Sequence, residues 1–367
     1  MPRIVLEYLE GGAGEELTLA REREAFAQWR VMPRTLTGEA PDNVSAPPVG
    51  REAAIPLAIA PTGLNGIFMR GADSALARGA ACENVPFVQS TMSNELMENI
   101  AKIPNLRHWW QLYLFGEESI WQELVDRAAA AGCEALVLTT NAQLFGRRAW
   151  SRRTRTGANR PTWPIVFDAA LHPRWMVTTL GRGMPEFSNV IDFVPQQHRG
   201  FFESAHWIRS QMWHGLGWDD VARVRQRWKG PLFVKGILNL QDVESALDTG
   251  IDGIVLSSHG GRQADGALAP LDLLPQARKI VGKRLALYLS GGIRRGSDIL
   301  KALALGADVV MAGRAPLYGL CAYGEEGVRR AVSILHDEMI NELGQYGLAR
   351  LDDLSRELLV RSDELPL

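Results

Sequence analysis

Within seven residues, Ser257-Ser258-His259-Gly260-Gly261-Arg262-Gln263, this chain gathers a histidine, an arginine and two glycines, directly after the apolar run Gly253-Ile254-Val255-Leu256. An imidazole titrates near neutral pH and serves as a base. A guanidinium is a fixed cation with a forked set of donors, and glycine lets backbone approach a ligand closely. A second group of interest is Lys235, which ends the apolar run Leu232-Phe233-Val234. A lysine at the end of a buried strand is costly unless an anion or an electron-rich ligand meets it. One use is a Schiff base with a carbonyl substrate; the other is a cation beside a cofactor that accumulates negative charge. His259 and Arg262 favour the second, because oxidation of a 2-hydroxy acid needs a base and a carboxylate clamp. Arg262 would grip the carboxylate in a bidentate fork, and His259 would take the proton as the electrons leave.

Two further turns carry anion-binding character. Gly291-Gly292-Ile293-Arg294-Arg295-Gly296 precedes a helix opening at Ser297-Asp298, and Gly313-Arg314 follows another apolar run. Glycine amides, a helix N-terminus and guanidinium groups at the last two turns of a barrel make a phosphate pocket.

The elements that must position these groups alternate. Strand-like apolar runs occupy 55–62, 85–91, 109–115, 135–140, 232–237, 253–258, 285–290 and 308–313. Helix-like stretches at 72–83, 119–131, 242–249, 297–305 and 325–342 lie between or after them, several ending in glycine (Gly132, Gly250, Gly306) where a left-handed cap is wanted. Eight strands, each followed by a helix, predict an α/β fold of the (β/α)8 TIM-barrel type, one domain over 1–367. A doubly wound sheet would carry G-x-G-x-x-G after its first strand, and none is present there. In a barrel the strand ends form the site. These ends read Pro61-Thr62-Gly63, Gln89-Ser90-Thr91, Gln111-Leu112-Tyr113, Thr139-Thr140-Asn141, Lys235-Gly236, His259 with Arg262, Ser290-Gly291-Gly292 and Gly313-Arg314. The interval 141–230 between strands four and five is too long for a plain loop. It is expected to be a helical lid over the site, and its aromatics within 187–213 a candidate membrane- or partner-docking patch.

With 40 basic and 42 acidic residues, the net charge of −2 offers no electrostatic reason to bind nucleic acid. Three scattered cysteines (Cys82, Cys133, Cys321) predict neither a disulfide framework nor a zinc site. No run reaches the roughly 20 apolar residues of a membrane span, and the opening residues lack a signal-peptide core. A cytoplasmic protein is expected.

Together, Tyr8-Leu9-Glu10-Gly11-Gly12-Ala13, Pro61-Thr62-Gly63-Leu64-Asn65-Gly66, His172-Pro173-Arg174-Trp175, Arg294-Arg295-Gly296-Ser297-Asp298 and Leu317-Tyr318-Gly319-Leu320 resemble the FMN-dependent 2-hydroxy-acid dehydrogenase/oxidase family, most of all its mandelate dehydrogenases. The likeness covers nearly the whole chain. It implies FMN-dependent oxidation of an (S)-2-hydroxy acid, mandelate-like with an aromatic or bulky side chain, to the 2-oxo acid. It assigns His259 as the base, with the electrons reaching flavin N5 as a hydride or as a carbanion's pair. It implies that Arg262 and Arg148 hold the substrate carboxylate, that Tyr8 and Tyr113 contact carboxylate and hydroxyl, and that Lys235 stabilises the reduced flavin. Pro61, Thr62, Gly63, Ser90, Gln111, Thr139, Ser257 and Ser290 would line the cofactor; Gly292, Arg294, Gly313 and Arg314 would hold its phosphate. Oxygen or another electron acceptor would reoxidise the flavin, Gly63 leaning towards a dehydrogenase. A homo-oligomer, commonly a tetramer, and docking on the inner face of a membrane are further implications.

The chain departs from the family at several of these positions. Asn141 stands where an aspartate orients the histidine, Ser290 where an aspartate binds the ribityl chain, and Ser258 where asparagine is common. Arg147-Arg148-Ala149-Trp150 stands where the family has Arg-Glu-Arg-Asp. Asparagine still accepts a hydrogen bond but supplies no charge. A barrel that keeps FMN and runs altered chemistry, or takes a specialised-metabolite substrate, is therefore the alternative.

Overall fold

The computed structural model describes residues 1–41, 43–46, 51–147, 155–156, 160–181 and 183–364. Eight parallel strands close into a barrel: β1 (Leu57–Ile59), β2 (Phe87–Ser90), β3 (His108–Leu112), β4 (Ala135–Thr139), β5 (Leu232–Ile237), β6 (Gly253–Ser257), β7 (Ala286–Ser290) and β8 (Val309–Ala312). Each strand pairs with the next in sequence, and β8 closes on β1 through Val310–Leu57, Met311–Ala58 and Ala312–Ile59. The expected TIM barrel is therefore present, with strands trimmed at the ends: residues such as Pro61 and Thr62 lie past the hydrogen-bonded ladder, in the loops at its mouth.

The helices that follow are α3 (Ala72–Cys82), α4 (Glu118–Ala130), α8 (Leu240–Ala246), α9 (Pro270–Val281), α10 (Gly296–Ala304) and α11 (Arg314–Gln345), the last broken at Tyr323 and Gly324. After β2 there is only a single turn, Met97–Ile100, instead of a full helix. Ahead of the barrel, α1 (Arg3–Glu10) and α2 (Leu17–Gln28) cross its C-terminal mouth. They are held there by Ala13 N–H donating to Gly261 O and by Arg21 to Asp272. Antiparallel pairing of Trp29–Val31 with Leu359–Arg361 ties the two ends of the described chain together.

Alternation along the strands decides what faces inward. Trp109, Phe233 and Tyr288 fill the barrel floor, Trp109 stacked on Phe233 at 5.6 Å and Phe233 against Tyr288 at 4.8 Å. Ala58, Ala60, Ala135, Val137, Val255, Val309 and Met311 make room for them. A Cβ on Gly253 would lie 2.6 Å from the Phe233 ring, so only glycine admits that ring. Out-facing residues such as Trp110, Leu112 and Leu136 join the second, larger core beneath the helices.

The interval between β4 and β5 carries helices of its own, as expected: α5 (Trp163–Ala170), α6 (Phe201–Ser210) and α7 (Trp218–Arg227). The expected exposed aromatic patch is corrected. Phe187 is buried with its ring stacked on Phe201, Phe193, Trp207 and Trp213 are half-buried against the core, and Phe201 and Phe202 are half-buried edge-to-face on each other. The exposed apolar surface lies upstream, at Trp163 (83%), Phe167 (68%), Leu171 (63%) and Val177 (73%). Among the described residues no helix is long and apolar enough to cross a membrane.

Candidate active site

The same two-residue alternation that builds the barrel floor places a polar layer directly above it. Two residues on from Ala60, Val88, Trp109, Val137, Phe233, Val255, Tyr288 and Met311 come Thr62, Ser90, Gln111, Thr139, Lys235, Ser257, Ser290 and Gly313. Six of these, Thr62, Ser90, Gln111, Thr139, Ser257 and Ser290, were expected to line the cofactor, Lys235 to stabilise it and Gly313 to hold its phosphate. The ladder sets them in register: Ser90 beside Gln111, Thr139 beside Lys235, Ser257 beside Ser290. Ser90 Oγ donates to Gln111 Oε1 at 3.0 Å, and Lys235 Nζ donates to Ser257 Oγ at 3.0 Å. Three buried polar atoms of this layer, Thr62 Oγ1, Gln111 Nε2 and Thr139 Oγ1, have no hydrogen-bond partner within the protein. Buried polar groups are normally paired, so a ring of unpaired donors and acceptors at a barrel mouth fits a planar, heteroatom-rich cofactor resting on it. Pro61 and Gly63 stand half-buried at the rim.

Lys235 is fully enclosed, and burial pushes its ammonium down to about 8, opposed by the nearby Glu22 carboxylate. Its chain neighbour Gly236 has φ +120, and a Cβ there would lie 2.6 Å from Asn141 Cγ. The bulge in β5 at this point thus seats Asn141 against the strand.

Asn141 is fixed from both sides of its amide. Its Nδ2 donates to Ser257 O at 2.8 Å, and its Oδ1 lies 3.0 Å from His259 Nδ1. Because Nδ2 is committed to a carbonyl, Oδ1 is the acceptor and His259 Nδ1 must carry the hydrogen. In the neutral ring Nε2 is therefore the unprotonated nitrogen, which is the tautomer a base needs. His259, Gly260 and Gly261 all have positive φ (62, 67 and 68). A histidine in the left-handed region is strained backbone of the kind found at working sites. Ser258 Oγ, accepting from Gly261 N–H at 3.0 Å, and Ser257 Oγ, accepting from His259 N–H at 3.0 Å, hold the turn.

Arg262 lies over the Tyr8 ring at 4.8 Å and donates to Tyr8 O at 2.7 Å and Gly11 O at 3.2 Å, while the Tyr8 hydroxyl donates to Gly63 O at 3.1 Å. The α1 helix thus brings Tyr8 and Arg262 together beside the β1 rim. Tyr113, just past β3, is buried with its amide donating to Thr91 Oγ1. Arg148 lies outside the described residues. Beside this face, a cavity of about 450 Å³ is lined by Gln143, Leu144, Phe145, Arg147, Arg209 and His214.

At the expected phosphate turns the helix-terminus part of the expectation is corrected. The amides of Arg294 and Arg295 donate to Asp298, and that of Gly296 to Glu338, so the α10 N-terminus is capped by protein. What the turns offer is cationic side chains. Burial holds the Arg294 and Arg314 guanidinium groups below their ordinary range, Arg314 at about 10, with Arg262 and Arg294 adding repulsion at Arg314. Arg314 also donates to Leu9 O, Gly260 O and Gly11 O, pinning α1 to the His259 turn. Crowded guanidinium groups with lowered proton affinity are what an anionic group would relieve. Glu22 of α2, 2% exposed and bonded by Ser258 Oγ, lies among them and was not singled out from the sequence. Its signal was there: Thr18, Glu22, Ala25, Phe26 and Trp29 make one buried stripe, so the glutamate sits on an apolar face.

An eight-stranded barrel with a polar mouth, a buried lysine and a histidine of fixed tautomer defines a cofactor-dependent enzyme of the barrel class. The family model for FMN-dependent dehydrogenases matches residues 1–361, and the chain belongs to that family. It is 38% identical to (S)-mandelate dehydrogenase of Pseudomonas putida over 98% of this chain and 90% of that one. It is 34% identical to L-lactate dehydrogenase of Caulobacter sp. (strain K31) over 99% and 96%. The crystal structure of monotopic membrane protein (S)-mandelate dehydrogenase superimposes with a TM-score of 0.93, at 37% identity, over 99% and 96% of the two chains. The protein is thus an FMN-dependent oxidoreductase, as the motifs implied.

Proposed function

We propose that this enzyme oxidises an (S)-2-hydroxy acid with an aromatic or bulky side chain to the 2-oxo acid. The observation that carries the reading is the His259 tautomer: Nδ1–H donates to Asn141 Oδ1, so Nε2 is the basic nitrogen of the neutral ring. FMN, when bound, supplies the acceptor for the electron pair. Arg262, kept in place by Tyr8 O and Gly11 O, presents its remaining N–H groups to the carboxylate. Tyr8 and Tyr113 orient the acid, and Arg148 is proposed as its second cation. Lys235 holds a positive charge under the mouth, where it favours an anion developing above it. Thr62, Ser90, Gln111, Thr139, Ser257 and Ser290 bind the ring system and its chain, and Arg294, Arg314, Gly292 and Gly313 form the anion end. The names of the mandelate dehydrogenase relatives support a bulky substrate. The dehydrogenase relatives support an electron acceptor other than oxygen.

Anaerobic mixing of the flavin-loaded protein with (S)-mandelate and smaller 2-hydroxy acids tests this. Bleaching of the flavin band by the bulky acids, lost in His259→Ala, is the expected outcome. A panel that leaves the band intact sinks the reading.

The same relatives suggest an address. The solved mandelate dehydrogenase is described as a monotopic membrane protein. Here the exposed apolar residues Trp163, Phe167, Leu171 and Val177 form the surface that would enter a lipid interface, in place of the 187–213 segment.

A further inference from the structure

Glu22 is acceptor-only when ionised, and burying such a group is expensive unless donors surround it. Within the protein it has a hydroxyl, Ser258 Oγ–H, and the amide of Gly292. Two donors do not saturate a carboxylate. Burial, the largest influence, raises its proton affinity, and Arg314 and Arg294 act against that. Its charge is felt by Lys235 of the polar layer and by Arg294 and Arg314 of the final turns. Its Oε1 also lies against the turn after β7, where a Cβ on Gly291 (φ +138) would come within 2.6 Å of it. The chain end of β7 itself, Ser290, offers only a hydroxyl.

FMN is a ring and a phosphate joined by a polyol. Were the ring held at the Lys235 layer and the phosphate at Arg294 and Arg314, the polyol would lie between them, near Glu22. Its hydroxyls are donors, and a carboxylate with two donors can accept more. We propose that Glu22, reaching in from helix α2, binds the ribityl hydroxyls of the cofactor. It would thus be a cofactor-binding residue that no motif in the chain marks. A hydroxyl-to-carboxylate bond in a dry site is a strong one. The inference rests on FMN lying with its phosphate at the final turns.

The test compares dissociation constants of FMN, riboflavin and lumiflavin (a flavin without the polyol) for the full-length apoprotein, by quenching of flavin fluorescence. Tighter wild-type binding of FMN than of riboflavin checks the phosphate placement by itself. Wild type should also prefer riboflavin to lumiflavin. In Glu22→Gln that preference should fall by about tenfold. In Glu22→Asp, which keeps the charge but shortens the reach, it should fall by less. Because the readout is a ratio of two flavins on one protein, general damage to the fold cancels. An unchanged riboflavin-to-lumiflavin preference in both variants overturns the assignment. So does a loss that affects lumiflavin equally.

Discussion

The bond from His259 to Asn141 orients the proposed base without placing a charge behind it. An aspartate in that position would stabilise the imidazolium formed when Nε2 takes a proton; asparagine only holds the ring. In a serine-protease triad the Asp-to-Asn change costs about 10⁴ in rate because the histidine takes the wrong tautomer; here the tautomer is kept and only the charge is missing, a smaller deficit. We therefore expect Asn141→Asp to raise turnover of 2-hydroxy acids by tenfold or more, measured as the anaerobic rate of flavin reduction. No gain would favour the alternative of a different substrate or chemistry on the same cofactor. Lys235 carries a prediction about pH. Its ammonium, pushed down to about 8 from an ordinary 10.5, is charged below that value and neutral above it. Flavin affinity should fall as pH rises through about 8, and Lys235→Met should bind at the high-pH level throughout. Folding stability moves the other way. Between about 8 and 10.5 the unfolded chain binds the extra proton, so this lysine's contribution rises with pH there. A flavin titration without a step in the wild type would count against Lys235 as the cation under the ring.

At the scale of elements, a strand's alternation does two jobs at once: every second residue builds the floor, and the next in that series builds the mouth. The floor depends on Trp109, stacked between Phe233 and Tyr288 at 5.6 and 6.2 Å. Trp109→Ala should cost on the order of 3–5 kcal/mol, read as a lower urea midpoint. It should also weaken flavin binding, because Gln111 stands two residues along the same strand. A Trp109→Ala protein of wild-type midpoint would mean the barrel collapses into the cavity without loss. This element logic was largely legible in the chain. Apolar runs with polar ends at Thr62, Ser90, Gln111, Thr139 and Lys235 announce strands ending at a mouth, and all five side chains lie there. The one-turn helix Met97–Ile100 was not legible, since nothing in its composition separates a turn from a helix start. The cap on α10 was half legible. Asp298 lies in its own first turn, but Glu338 comes from α11, 42 residues away.

Over the whole molecule, the exposed apolar residues of α5 and the turns after it face away from the core, while the polar mouth is roofed by α1, α2 and the His259 turn. Replacing Trp163, Phe167 and Val177 together with serine should reduce co-sedimentation with anionic lipid vesicles by several-fold, because the apolar face that would enter the interface is lost. Flavin content and turnover should be unaffected. Equal sedimentation of variant and wild type would remove the case for a lipid-facing surface. The earlier expectation for 187–213 failed because aromatic content alone does not say which way a side chain faces. Phe187 and Phe201 stack on each other, and Trp213 Nε1 donates to Gly116 O.

The chain by itself determined the barrel and the polar, cationic character of its mouth, because those depend on local alternation and on residue types at strand ends, and its family motifs implied FMN. Tertiary structure alone decided which groups act together. The Asn141 bond to His259 spans 118 residues, the Arg262 bond to Tyr8 spans 254, and Glu22 reaches Ser258 across 236. Closing the barrel brings such distant positions within a few ångströms. No local pattern encodes which buried carboxylate will meet which cation, because that choice is made by the packing of whole elements.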